Sequence, residues 1–228
     1  MSKIKWGAIV VDGRGKLGGH VFTKTRSGAT MRTKVTPVNP QSPAQAAARS
    51  RLGSQSQAWR GLTEAQRTGW NDLAQRTAKT NIFGDQYFPT GKNLFTGLNS
   101  NLILAGENPN VSPPELVEMP VVISMNPVIN VAEQLIDLGV STEGSVSASY
   151  VIIEATAPFS AGRYNFDGSY RIIYAPGDFE DTDILYTQYV AKFGVPPTGS
   201  KVSFRAYFIS TTSGQQSPRF AAATIVAG

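Results

Sequence analysis

The sequence predicts an α+β multidomain protein: an extended β arm and a small three-helix unit, followed by an antiparallel β-sandwich. Three observations carry that prediction. Only 16% of the 228 residues are charged, with 22 glycines and 14 prolines, a balance that favours strands and turns. Helix-capping signals cluster between residues 42 and 66. Beyond residue 119, apolar and polar side chains alternate between Gly/Pro turns. The boundaries that follow are 1–41 for the arm, 42–105 for the helices, 106–118 for a linker and 119–228 for the sandwich.

Residues 1–41 show no helical periodicity. Short β-prone pieces (Ile4 to Val11, His20 to Thr25, Thr30 to Val35) alternate with glycine turns at Gly13-Arg14-Gly15, Gly18-Gly19 and Ser27-Gly28. Few large apolar side chains sit here, so the segment has little with which to bury a core and is expected to order against something else. Val35-Thr36-Pro37-Val38-Asn39-Pro40 reads as extended, because each proline turns its predecessor away from the α region.

Helices begin at Ser42-Pro43-Ala44-Gln45, which supplies an N-cap serine, a proline at the first helical position and a glutamine to close a capping box. This helix is expected to reach about Arg60, with Ala44, Ala47, Ala48, Leu52 and Trp59 facing inward. Thr63-Glu64-Ala65-Gln66 is a second capping box, opening a helix to about Arg76 with Trp70, Leu73 and Ala74 inward. Thr90 caps a third, whose Leu94, Phe95, Leu98 and Leu102 recur at helical spacing. Trp59 and Trp70 are read as core. Glu107-Asn108-Pro109 through Pro113-Pro114-Glu115 reads as an exposed linker.

In the last part, Val146, Ala148, Tyr150 and Ile152 alternate with polar or smaller neighbours, as do Val202, Phe204, Ala206 and Phe208. The turn Thr212-Ser213-Gly214-Gln215 and a strand from Phe220 to Val226 follow. Asp183 to Phe193 fits a strand or a short helix.

Composition removes much chemistry. With no cysteine there is no disulfide, thiolate nucleophile or Cys-based metal site. One histidine, His20, argues against His-dependent triads and multi-His metal sites. Gly13-Arg14-Gly15-Lys16-Leu17-Gly18 matches the G-x-G-x-x-G of dinucleotide-binding folds, but no helix pattern follows it and no acid occurs between Asp12 and Glu64. Asp178, Glu180, Asp181 and Asp183 lack calcium-loop spacing and read as a solvated loop. No carboxylate pair stands out for glycoside hydrolysis. The expectation is a non-enzymatic protein without cofactors. The apolar run Ala8 to Val11 is too short for a signal-peptide core, and no stretch nears the roughly 18 residues of a membrane span, so a soluble chain made in the cytoplasm is expected.

Charge is the strongest functional signal. Residues 1–80 carry a net +11 and residues 81–228 a net −6. A basic, Gly-rich leading segment seeks a negative surface, whether nucleic acid, an acidic protein shell or another subunit. Lys3, Lys5, Arg14, Lys16, Lys24, Arg26, Arg32 and Lys34, interleaved with Trp6 and Phe22, suit non-specific nucleic-acid backbone contact, though no base-reading motif is present.

The order Gly15-Lys16-Leu17-Gly18, Val21-Phe22, Ser27-Gly28, Arg32, Val35-Thr36-Pro37-Val38-Asn39-Pro40, Ala44-Gln45, Arg49, Trp59-Arg60-Gly61-Leu62-Thr63, Gln66-Arg67, Trp70 and Gly91-Lys92-Asn93-Leu94-Phe95 resembles structural proteins of tailed bacteriophages and prophages over residues 15–100. Lys201-Val202-Ser203-Phe204-Arg205-Ala206-Tyr207, with Gly214 and Ser217, resembles the last hairpin of a fibronectin type III or immunoglobulin-like module. The core tryptophan and the cysteines of such modules are missing. The resemblance carries no catalytic residues. It implies a virion structural protein that anchors through its arm and helices and exposes its C-terminal domain, as capsid decoration or a head-fibre-like part. Its partners would be other virion proteins and further copies of itself in a homo-oligomer. Arg26, Arg32, Lys34 and Arg49 are the expected partner contacts. The alternatives are a neck or tail position, a non-specific DNA-associated protein, or a glycan-binding adhesin with an aromatic groove around Tyr164, Tyr170 and Tyr174.

Overall fold

The computed structural model describes residues 2–7, 12–36, 38–39, 41–174 and 182–228. It shows an α+β protein with four helices and several antiparallel sheets among those residues. Two compact units are formed, Met1–Gly97 with Val111–Pro113, and Leu98–Asn110 with Pro114–Gly228. The division falls within the helix Gly91–Leu104.

The first unit opens with a four-stranded antiparallel sheet of β1 (Ser2–Ile4), β2 (Gly15–Leu17), β3 (His20–Thr25) and β4 (Gly28–Thr33), ordered β1-β4-β3-β2. Gly18, at φ +56°, turns β2 into β3, so the Gly13–Gly18 hexapeptide lies on a hairpin and leads into no helix. These strands bury little; Thr30 is their one buried residue. Val35, Thr36, Val38 and Asn39 are exposed, while Ala8 to Val11, Pro37 and Pro40 lie outside the described residues.

Helix α1 (Pro43–Gly61) starts where Ser42 accepts the Gln45 amide, α2 (Glu64–Arg76) where Thr63 and Gln66 close a complete capping box. The Ser42 box is only half made, since Gln45 Oε1 is buried with no partner among the described residues. Thr90 Oγ1 accepts from Asn93 at the start of α3 (Gly91–Leu104). Phe95 sits between Trp59 (centroids 5.4 Å) and Trp70 (5.2 Å, edge-on), and Trp70 Nε1 donates to Val111 O at 3.0 Å. Leu62, Ala74 and Leu94 complete this small core. The expected inward face of α1 is corrected here: Ala47, Ala48 and Leu52 are exposed, and Gln55 is buried instead. Alanine forms helix without needing burial, so small residues at helical spacing do not mark a packed face. A short pair, β5 (Lys79–Thr80) and β6 (Gln86–Tyr87), lies between α2 and α3.

The second unit is built on a four-stranded antiparallel sheet ordered β12-β11-β13-β14, with β11 (Ser149–Ala155), β12 (Arg171–Tyr174), β13 (Lys201–Ser210) and β14 (Phe220–Ile225). One face carries Val151, Ile153, Val202, Phe204 and Ala206 into the main core. That core also takes residues from β7 (Val121–Met125), β8 (Val128–Asn130) and β9 (Leu135–Asp137), and from α4 (Thr182–Phe193). Strand β7 pairs with β10 (Val140–Glu143), and β8 pairs with β9. Residues 183–193 are therefore helical. The opposite sheet face packs Ile152, Tyr207 and Ile209 against Leu104 and Ala105 at the end of α3. Covered on both sides over β11 and the Ala206–Ser210 half of β13, these strands are near-continuous buried runs.

Residues 106–118 are held by specific bonds. Buried Asn99 exchanges two hydrogen bonds with the Asn110 backbone (2.7 and 3.0 Å), and the Val117 amide donates to Gln215 Oε1 at 2.8 Å. Gly214, at φ +71°, brings its turn so close to the Leu98 carbonyl that a Cβ would collide with it, and its own carbonyl accepts from Asn101 Nδ2 at 2.8 Å.

Candidate interaction surface

Register sorts the N-terminal sheet into two unlike faces. Direct cross-strand partners share a face. The rows Lys16–Val21–Arg32 and Thr23–Thr30–Lys3 lie on one side. Lys34, two residues beyond Arg32 and roughly 7 Å along the chain, continues that side, its amide bonded to Gly19 O at 2.8 Å. The other side carries Ile4, Leu17, Phe22, Ala29 and Met31 together with His20, Lys24 and Thr33; Trp6 lies against Phe22 at 5.5 Å, and Lys24 is paired with Asp12 at 3.7 Å. One face is thus cationic and polar, the other largely apolar, and neither is deeply covered. Leu17 is 70% exposed.

The four expected contact residues do not gather in one patch. Arg26, in the β3–β4 turn, points Nη1 at the carbonyls of Phe88 (3.5 Å) and Pro89 (3.4 Å), tying the turn to the segment before α3. Arg49 donates to Asn39 Oδ1 at 2.8 Å. Both therefore serve contacts within the chain. Arg32 and Lys34 are exposed and form no ion pair among the described residues. Lys16 lies on the same side as Arg32, across Val21. Lys3 is committed to the carbonyl and hydroxyl of Ser27.

A second set of bonds fixes this sheet. Asn81 Nδ2 donates to Ser27 O (3.2 Å) and Asp85 Oδ2 (3.1 Å), while Lys5 Nζ meets Asp85 Oδ1 at 3.1 Å. The Asn81 amide and then Lys5 hold the Asp85 carboxyl below its ordinary pKa. Outer strand β2 is three residues long and exposed throughout, and no strand among the described residues pairs with its outer edge.

His20 is exposed on β3, opposite Thr33 and Leu17. Among the described residues no group of three His, Asp or Glu side chains is disposed to hold a metal ion. Asp178, Glu180 and Asp181 lie outside the described residues, as does the side chain of Asp183. Of the three tyrosines of the expected groove, Tyr164 and Tyr170 border one cleft, and Tyr174 does not. Opposite Ile153 in the ladder, it packs against the main core. Among that cleft's other residues, Lys201 and Ser203 escaped the sequence reading because they come from a strand some thirty positions away. No helix of the described residues is long and apolar enough to cross a membrane.

No protein-family model, curated protein or solved structure matches this chain.

Proposed function

We propose that the chain is a non-enzymatic structural protein of a tailed-bacteriophage particle, attached through its N-terminal unit, with the C-terminal unit exposed. The observation that carries this reading is the sheet β1–β4: four short strands with a cationic face, an apolar face and a free edge, yet a single buried residue. A sheet so thin gains little from its own burial and is completed by a partner surface. Lys16, Arg32 and Lys34 suit an acidic subunit, and the β2 edge suits strand addition. A capsid-surface position is preferred to the neck or tail. The partners are other virion proteins and further copies of this chain.

The C-terminal unit is read as an immunoglobulin-like or fibronectin type III-like module. Support comes from an antiparallel sheet sharing one core with the β7–β10 and β8–β9 pairs. Helix α4 in that layer is a departure from such modules. The second reading, contact with packaged DNA, is favoured by the same cationic face. It predicts duplex binding whose logarithm falls with log salt at about −0.9 per neutralised phosphate.

Arg32→Glu/Lys34→Glu in the full chain is the test. Co-sedimentation with assembled particles should be lost, while circular dichroism stays that of the parent. Undiminished co-sedimentation overturns the anchoring role. Steeply salt-dependent duplex binding, without particle binding, replaces it with the DNA reading.

A further inference from the structure

The sheet face covered at one end by Leu104 and Ala105 is open at the other. There β13 presents Lys201, Ser203 and Arg205, and β14 presents Ala221 and Ala223 beside them in register. Two exposed alanines make a low floor. Residues 159–170 rise along one side, giving a cleft of about 480 Å³ bordered by Tyr164, Asp167, Tyr170 and Lys201. That lies within the about 300–1,000 Å³ typical of small-molecule sites.

Its walls are held from behind. Phe159 and Lys201 exchange backbone hydrogen bonds at 2.9 and 2.7 Å. The Arg163 guanidinium lies 3.7 Å from the Phe159 ring centre and donates Nε to Asn165 O at 2.7 Å. Asn165 Oδ1 accepts the Asp167 amide at 2.8 Å. The Tyr170 ring is stacked on Arg205 at 4.2 Å, itself paired with Glu154 (Nε to Oε2, 2.6 Å). Ser203 Oγ donates to Ala222 O at 3.1 Å, so Tyr170 Oη donates to Ser203 Oγ (2.8 Å) and keeps acceptor capacity toward the cleft. Against this fixed frame stands Tyr164, 86% exposed, its ring 4.7 Å from the Lys201 ammonium. Lys201 has no ion pair among the described residues.

We infer that this cleft binds an acidic saccharide, a pyranose carrying a carboxylate, with the sugar ring on Tyr164 and the carboxylate at Lys201. An aromatic face left open to water calls for a ligand with an apolar C–H face and a hydroxyl rim, which a pyranose has and an extended peptide lacks. Pre-organised walls lower the ordering cost of binding a small rigid ligand. Charge decides the rest. Arg205 is neutralised by Glu154, which removes the bidentate fork a phosphate prefers. One unpaired ammonium suits one carboxylate, and Asp167 on the rim accepts hydroxyls while its charge disfavours a ligand carrying several negative charges, as a phosphate chain does. The centre of a sheet face also offers no free ladder for a peptide strand. None of this depends on how the N-terminal unit is used.

The test is calorimetric and NMR titration of the full chain with trigalacturonate and sialyllactose as acidic probes. Lactose and citrate are the neutral and non-sugar controls. At least one acidic probe should bind saturably and at least tenfold more tightly than either control. Tyr164→Ala and Lys201→Gln should each weaken it tenfold or more, with near-ultraviolet dichroism unchanged. Arg32→Glu/Lys34→Glu should leave it intact. Absence of saturable binding by both acidic probes overturns the proposal. So does lactose or citrate binding equally well, or a Tyr164→Ala protein that binds like the parent.

Discussion

Phe95 shows how much one side chain carries in a small core. It is 2% exposed and touches both Trp59 and Trp70, the two rings that give the first unit most of its buried aromatic surface. Phe95→Ala removes a buried ring from between two others, at a cost of about 3–5 kcal/mol. All three tryptophans, Trp6, Trp59 and Trp70, belong to this unit, so tryptophan fluorescence during urea unfolding reports the loss of this unit's structure. The unfolding free energy obtained from the fluorescence transition should fall by that amount, with the urea midpoint lowered accordingly. Asp85 shows the electrostatic counterpart. Its folded pKa is depressed, first by the Asn81 amide and then by Lys5, so its contribution is fully present above the unfolded value near 3.8. It is lost as pH drops through the lower folded value. NMR titration of the Asp85 carboxyl should therefore give a midpoint below that of a free aspartate. Asn81→Ala should raise it.

At the scale of elements, the two capping signals that look alike in sequence differ in the folded chain. At Thr63–Gln66 both halves of the box form (2.9 and 3.3 Å), whereas at Ser42–Gln45 only the serine half does, at 3.4 Å. Thr63→Ala should cost about 1 kcal/mol by thermal or urea unfolding, and Gln45→Ala should cost nothing measurable, since its amide closes no box. Caps are legible in sequence because they depend on four consecutive residues. Burial is less so. The alanines of α1 have helical spacing yet stand in solvent, and Ser149–Ala155 shows no dependable alternation because both of its faces are covered. The stretch 183–193 mixes β-branched and aromatic residues, and packing beside β9 and β12 decides for helix. Arg26 and Arg32 likewise cannot be told apart by residue type. Only the fold shows that one reaches Pro89 and the other faces outward. The cleft of Tyr164 and Lys201 has no local motif at all, because register and not spacing assembles it.

At the scale of the whole molecule, buried surface is shared as unevenly as charge. Strand β11 and the Ala206–Ser210 half of β13 are covered on both faces, whereas β1–β4 bury Thr30 and little more. Protection of backbone amides follows local opening free energy, which depends on how much apolar packing must be undone. In native-state hydrogen exchange of the free chain, the amides of β11 and β13 should exchange only through openings that approach the global stability of about 5–15 kcal/mol. Those of β3 and β4 should exchange several orders of magnitude faster, despite a complete ladder between them. Addition of the particle that the N-terminal unit is proposed to bind should then slow β2, β3 and β4 selectively, because a partner that recognises only the ordered sheet stabilises it by mass action. Equal protection of β3 and β13 in the free chain would give a different answer. The sheet would already be covered by another copy of the chain, the protection would weaken on dilution, and Arg32 and Lys34 would belong to an oligomer interface instead of an external surface.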